Sequence, residues 1–190
     1  MLAHVHGQVL NLSELGRSMS VGDHAIRHYV DVLAQTFMLR VLPPWFENIS
    51  KRQVKAPKVY FRDAGLLHAL LGIGDARQLG GNPRMGASWE GFGVDQVITQ
   101  LRIRDEDCYF WGSHSGAELD LLVVHRGTRL GFEFKHTAAP TLTASMKSAL
   151  GDLKLDGLTV IHAGDRSWRL APRVRAVALS QLAEQLAPLG

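Results

Sequence analysis

The stretch GAELDLLVVHRGTRLGFEFKH, Gly116 to His136, constrains this chain more than any other. Two alternating runs, Glu118 to Val124 and Arg129 to His136, flank His125-Arg126-Gly127-Thr128, and Arg126-Gly127 between apolar runs is a hairpin signal. A two-residue loop places Asp120 opposite Glu133 and Glu118 opposite Lys135. Strict alternation then puts Glu118, Asp120, Glu133 and Lys135 on one face, and Leu119, Leu121, Val123, Phe132 and Phe134 on the other. Like charges directly opposed on a sheet are destabilising, so Asp120 and Glu133 need a partner. A divalent cation would be one: two carboxylates are hard ligands suited to Mg²⁺ or Mn²⁺. Lys135 would be a point charge on the same face, able to orient a water or stabilise charge developing on a phosphate. The competing reading is a solvated face on which Lys135 and Arg129 neutralise the carboxylates. Against it, Leu130, Phe132 and Phe134 give the strand of Glu133 the apolar pattern of a central strand.

The flanking elements follow from periodicity. Ser88 is placed to cap a helix that buries Trp89, Val94, Val97, Ile98 and Leu101, and Glu90 falls on the apolar side of that helix as a third carboxylate aimed at the sheet. Such a glutamate is costly unless it meets a cation or a donor. CYFWG, Cys108 to Gly112, reads as a strand, Thr141 to Leu153 as a helix and Leu158 to His162 as a strand. Val174 to Leu179 adds a strand, and Ser180 caps a closing helix. From Ser88 the order is αβββαβ.

Upstream, Ser13 reads as an N-cap and SELGRSM, from Ser13 to Met19, as a short helix, Ser20-Val21-Gly22 as a turn, and Ile26, Tyr29, Val30, Leu33 and Phe37 as the buried stripe of a longer helix. Strands over Phe37 to Leu42 and Lys58 to Phe61 complete a helix-turn-helix followed by a hairpin, a winged helix. His24, Arg27, His28 and Asp31 then face solvent. Residues 1–73 hold 8 Lys/Arg against 5 Asp/Glu, and Arg40, Lys51, Arg52, Lys55, Lys58 and Arg62 face only Glu47. In a DNA-binding version His24, Arg27 and His28 enter the major groove, and Lys51, Arg52, Lys55 and Lys58 form a wing on phosphates. Winged helices also dock proteins, and Asp31 would repel phosphate.

The glycine-rich segment from Gly72 to Ser88 reads as a linker over 74–87, between a domain over 1–73 and one over 88–190. No G-x-x-x-x-G-K-[ST] occurs, so neither ATP hydrolysis nor a nucleotide site is expected in this chain. With 46% hydrophobic and 21% charged residues, the composition is that of a globular chain and excludes disorder. One cysteine, Cys108, excludes an internal disulfide and a multi-cysteine zinc site. No apolar run is long enough to span a bilayer and the N-terminus has no leader pattern, so the expected location is cytoplasmic, without membrane partners.

Glu90 in the first helix, Asp120 in the second strand and Glu133-Phe134-Lys135 in the third resemble the PD-(D/E)XK nuclease superfamily. The resemblance implies a restriction-endonuclease-like fold in which Asp120 and Glu133 bind Mg²⁺, Lys135 assists the attacking water, and Glu90 completes the metal site. LNLSELGRSMSV, RVLPPWFENISKRQVKAPKVYFRDAGLLHALLGI, WEGFGVDQVI and the hairpin together look like the C-terminal half of a family of prokaryotic AAA-type ATPases, a domain of unknown function made of a winged helix and a nuclease-like fold. The ATPase domain of that family is lacking here, which fits a truncated gene product. The expectation is therefore an α+β or α/β chain: a nucleic-acid-processing module with possible Mg²⁺-dependent phosphodiester hydrolysis and DNA as partner. The alternatives are a non-catalytic DNA- or protein-binding regulatory module of an AAA-type ATPase, or a remnant of one.

Overall fold

The computed structural model describes residues 1–190 as a mixed α+β chain that divides into two compact units, Met1–Leu42 with Ala56–Phe92, and Pro43–Lys55 with Gly93–Gly190. The first contains a 3₁₀ turn over Leu2–Val5, β1 (Gln8–Val9), α1 (Leu12–Met19), α2 (Asp23–Gln35), β2 (Leu39–Leu42), β3 (Lys58–Phe61), α3 (Ala64–Leu70) and α4 (Ala76–Gly80). It also holds the start of α5 (Met85–Leu101), whose residues from Gly93 onward belong to the second unit. Its three strands form an antiparallel sheet in the order β1-β3-β2. Ile26 and Val30 of α2 pack with Leu10, Leu15 and Val59, as their spacing requires.

Several local expectations are corrected. Asn11, not Ser13, caps α1, its side chain accepting from the Glu14 N–H. Tyr29 and Phe37 are 50% and 74% exposed. Phe37 follows the end of α2 in the left-handed region (φ 60°), so the helical period no longer places it. The first ten residues form a 3₁₀ turn and an edge strand. The glycine-rich segment folds in part: Asp75 accepts from the Gln78 N–H and caps α4, and α5 begins three residues before Ser88.

The second unit contains β4 (Cys108–Gly112), β5 (Glu118–His125), β6 (Thr128–Lys135), α6 (Ala144–Asp152), β7 (Gly157–His162), β8 (Trp168–Ala171), β9 (Val174–Ala178) and α7 (Leu182–Gln185). The sheet is mixed, in the order β4-β5-β6-β7-β9-β8: β6, β7 and β9 run parallel and the other neighbours antiparallel. Arg126 and Gly127 both have positive φ (49° and 82°), the conformation of a two-residue turn matched to strand twist. The pairing from His125↔Thr128 to Leu121↔Phe132 has the register the sequence implied. Met146 and Ala149 of α6 close a core over Leu119, Leu122, Leu158 and Val160. No helix is long and apolar enough to cross a membrane.

Strict alternation fails beside the carboxylates, as it also does between Arg169 and Ala171 of β8. The β4–β5 register shifts between Tyr109↔Leu122 and Trp111↔Leu119, a bulge that sets Asp120 and Leu121 against Phe110 alone. Leu119 consequently joins the same core as Leu122 rather than sharing a face with Leu121 by simple parity. The bulge sits at the carboxylate.

Candidate functional site

β5 and β6 part beyond Leu121↔Phe132, and the side chains past that point form the site. The Phe134 N–H donates to Asp120 Oδ2 at 3.0 Å, so a carboxylate side chain stands where a ladder carbonyl would otherwise accept. At the start of β5, Ser145 of α6 accepts from the Glu118 N–H and donates to the Glu118 carbonyl, both at 2.7 Å, which fixes the strand end. Asp120 and Glu133 are buried, at 7% and 3% exposure. Lys135 Nζ lies 2.7 Å from Glu133 Oε2 and 3.9 Å from Asp120 Oδ2. Burial, then the charge of Asp120, pushes the Glu133 carboxyl up to about 8 against the pull of Lys135.

Two buried carboxylates with one ammonium between them suit a hard cation that retains most of its waters, as Mg²⁺ does when bound by one or two protein carboxylates. No group of three His, Cys, Asp or Glu side chains is placed to hold a metal ion. Glu90 is engaged within the first unit: its Oε1 accepts from Tyr60 OH at 2.6 Å and from Lys58 Nζ at 3.1 Å. The donor that a glutamate on the apolar side of its helix needs is supplied by Lys58 and Tyr60 of β3. Ser88, expected as a cap, lies within α5 with its Oγ 2.7 Å from His68 Nε2. His6, which the sequence reading did not single out, is buried between the Phe61 N–H at its Nδ1 and the Ala87 carbonyl at its Nε2, and burial lowers it to about 4.

The expected nucleic-acid contacts separate into two sets. His24, Arg27 and His28 are exposed along α2. Lys58, expected on a wing, is 4% exposed and paired with Glu90, so it is not a phosphate contact. Lys51, Arg52 and Lys55 belong to the second unit, where 43–55 covers the free edge of β4. The Trp45 N–H donates to the Phe110 carbonyl, the Val54 N–H to that of Gly112, and the His114 N–H to that of Arg52. Gln53 fastens the segment by accepting from Trp111 Nε1 and donating to the Glu47 carbonyl. Lys51 pairs with Asp152 at 2.5 Å and donates to Ser148 Oγ. Arg129 is held by Glu47 at 2.6 Å, which leaves Lys135 as the neutralising partner of Asp120 and Glu133.

Residues 85–182 match a family described as a domain of unknown function, DUF4143, and residues 1–77 match a second, DUF8612. Uncharacterized proteins of Mycobacterium tuberculosis and Mycobacterium bovis are each 45% identical over 182 residues, 96% of this chain and 41% of theirs. The chain thus spans well under half the length of these curated relatives. No solved structure matches it.

Proposed function

The chain belongs to the DUF4143 family, and from that premise we propose that it is a nucleic-acid-processing module whose Asp120, Glu133 and Lys135 form a phosphodiester-directed site. In this reading the first unit is a winged helix that meets a duplex through His24, Arg27 and His28, and the second is nuclease-like. The observation that carries the proposal is the burial of Asp120 beside Glu133 at the parted end of the hairpin, with Glu133 driven to about 8. Strongly perturbed carboxyls in a specific charged setting are more frequent at functional sites than elsewhere. Asp120 and Glu133 would hold Mg²⁺ or Mn²⁺, which supplies Lewis-acid stabilisation of a phosphoryl oxygen when bound. Asp120 keeps its orientation through the Phe134 N–H. Lys135, released from Glu133 when that carboxylate turns to a cation, would place its ammonium on a water or on the phosphate charge.

A second reading keeps the same residues in a non-catalytic regulatory module, acting beside an AAA-type ATPase. Its support is that Lys135 already neutralises Glu133 and that the carboxylate set numbers two, with Glu90 engaged by Lys58 and Tyr60. Plasmid, duplex and single-stranded substrates incubated with Mg²⁺, Mn²⁺ or chelator separate the two. The first reading expects metal-dependent cleavage that Asp120→Asn and Lys135→Ala abolish, the latter while keeping most metal-induced stabilisation. Wild-type protein that neither cuts nor gains stability from either ion, with an ATPase partner supplied, overturns it.

A further inference from the structure

On the other face of the sheet from Glu133, a cleft of about 580 Å³ opens between the strands and α7. Its position follows from the register: Phe132 pairs with Thr159, Thr159 with Arg175, and Arg175 with Arg169, so these four form one cross-strand row. Phe132 and Glu133 are successive residues of β6 and point to opposite faces. Leu130 and Phe132 line the cleft from the sheet and Leu186 from the opposite wall, while Arg169 and Arg175 line it from β8 and β9. The size and the mostly apolar lining with a few polar groups are those of small-molecule sites.

Arg169 and Arg175 are directly opposed, both exposed, in an antiparallel pair. Like charges in that position oppose pairing, and neither arginine has a carboxylate partner. Arg175 Nε donates to Thr159 Oγ1 at 3.3 Å and Arg169 Nε to the Ala171 carbonyl at 3.4 Å, which leaves most of each guanidinium's donors unused. No Asp or Glu lines the cleft. The edge strand β8 and its neighbour β9, with two facing guanidiniums above an apolar floor, are therefore short of negative charge in a defined place.

We propose that this cleft binds an organic phosphate, its phosphate between Arg169 and Arg175 and its apolar or aromatic body over Leu130, Phe132 and Leu186. Phosphate is favoured over carboxylate because a monoester carries nearly two negative charges and offers three oxygens to the forks of Arg169 and Arg175, with Arg173, which also lines the cleft and donates to the Leu155 carbonyl, adding a third positive charge. Side chains would hold the phosphate here, without a glycine-rich loop. The site is separate from Asp120 and Glu133 and does not depend on them.

The test uses the whole chain in a phosphate-free buffer with chelator, so that no divalent ion reaches the carboxylates. Phenyl phosphate, AMP, adenosine and inorganic phosphate are titrated by calorimetry and by melting temperature. The expected result is saturable sub-millimolar binding of phenyl phosphate or AMP, with inorganic phosphate and adenosine at least about tenfold weaker. Arg169→Gln combined with Arg175→Gln should weaken binding at least about tenfold while raising the ligand-free melting temperature by removing the repulsion. Arg169→Gln alone, on the exposed edge strand, gives the same reading if the double variant folds poorly, and Asp120→Asn should leave binding unchanged. No saturable binding of either organic phosphate overturns the proposal, as does affinity undiminished by the arginine substitutions. Equal affinity for inorganic phosphate overturns it too, since the apolar floor would then contribute nothing.

Discussion

Replacing Glu133 by Gln turns the buried carboxyl into a pH measurement. Glu133 is raised from an ordinary 4.5 to about 8, first by burial and then by Asp120, with Lys135 pulling the other way and Glu118 adding a smaller push. The native protein therefore retains a proton that the unfolded chain releases. A group raised in the folded state contributes its stability fully below 4.5 and loses it as pH rises through 8. Each unit is worth about 1.4 kcal/mol, so a rise of this size bounds the loss at about 4 to 5 kcal/mol. Relaxation of Lys135 and entry of water reduce it, and we expect on the order of 2 kcal/mol between pH 5 and pH 8. Gln cannot titrate, and since protonated Glu133 makes no ion pair with Lys135 either, what separates Gln from the protonated carboxyl is a constant offset, while the pull of Lys135 is already part of the slope. Urea unfolding of both proteins in chelator, at half-unit pH steps, should show the wild type falling relative to E133Q across that window and running parallel above it. Asp120→Asn, which keeps an acceptor for the Phe134 N–H but removes the adjacent charge, should reduce the slope. Parallel profiles of wild type and E133Q from pH 5 to pH 8, or a wild type that gains on the variant as pH rises, would refute the reasoning.

His6 has the opposite sign: lowered from 6.5 to about 4, it contributes stability present above pH 6.5 and lost as pH falls towards 4. A bound of about 3 kcal/mol follows at 1.4 kcal/mol per unit, and His6→Gln should unfold with a flatter acid limb in the same urea experiment. A Cβ on Gly93 would lie 2.3 Å from the Phe134 ring, so Gly93→Ala should cost about 1–3 kcal/mol, whereas Gly86→Ala, in the same helix with open space around it, should gain up to about 1 kcal/mol; melting curves decide both. On the proposed nucleic-acid reading, replacing Arg52 and Lys55 by Ala should weaken binding and lower its salt slope by up to about two, and adding Lys51→Ala should change it little further because Asp152 already holds that lysine; filter binding across salt concentrations checks this, and no binding by the wild type counts against the reading.

The hairpin was legible because a short turn leaves the register no freedom. Arg126-Gly127 fixed the pairing of β5 with β6, and with it the neighbourhood of Asp120 and Glu133. The bulge opposite Phe110 was not legible, since an extra residue in one strand changes parity without changing composition. Nor was the destination of 43–55: backbone hydrogen bonds, which carry no side-chain period, lay it along an edge strand, its side-chain partners lie far along the chain, and its lysines read as a wing only because nothing local assigned them elsewhere. β8 escaped for a related reason, being a short edge strand entered by the Trp168-Arg169 pair and left through a Pro172-Arg173 turn. Glu90 marks the limit of reasoning by polarity alone. Its position demanded a donor, but the demand did not say which, and Lys58 and Tyr60 come from a strand thirty residues earlier in the chain.

The Asp120 and Glu133 pair and the Arg169 and Arg175 pair share one physical argument with inverted sign. Each sets like charges against each other on a sheet whose other contacts favour pairing, and in each an external ion of opposite charge would relieve the destabilisation. Because Phe132 and Glu133 are adjacent in β6, the two places lie on opposite faces of the same strands, so neither can borrow the other's ligand. Their responses are consequently separable. On these two proposals, Mg²⁺ without phosphate would act only through the carboxylates, and at ten times its dissociation constant would stabilise the fold by about 1.4 kcal/mol; an organic phosphate in chelator would act only through the arginines and follow the same arithmetic. A melting shift with Mg²⁺ that vanishes in Asp120→Asn but survives in Arg169→Gln, and the reverse for phenyl phosphate, would establish two sites. A shift lost for both ligands in either variant would instead mean that the substitutions loosen the sheet as a whole, and the charge argument would fail on both faces together.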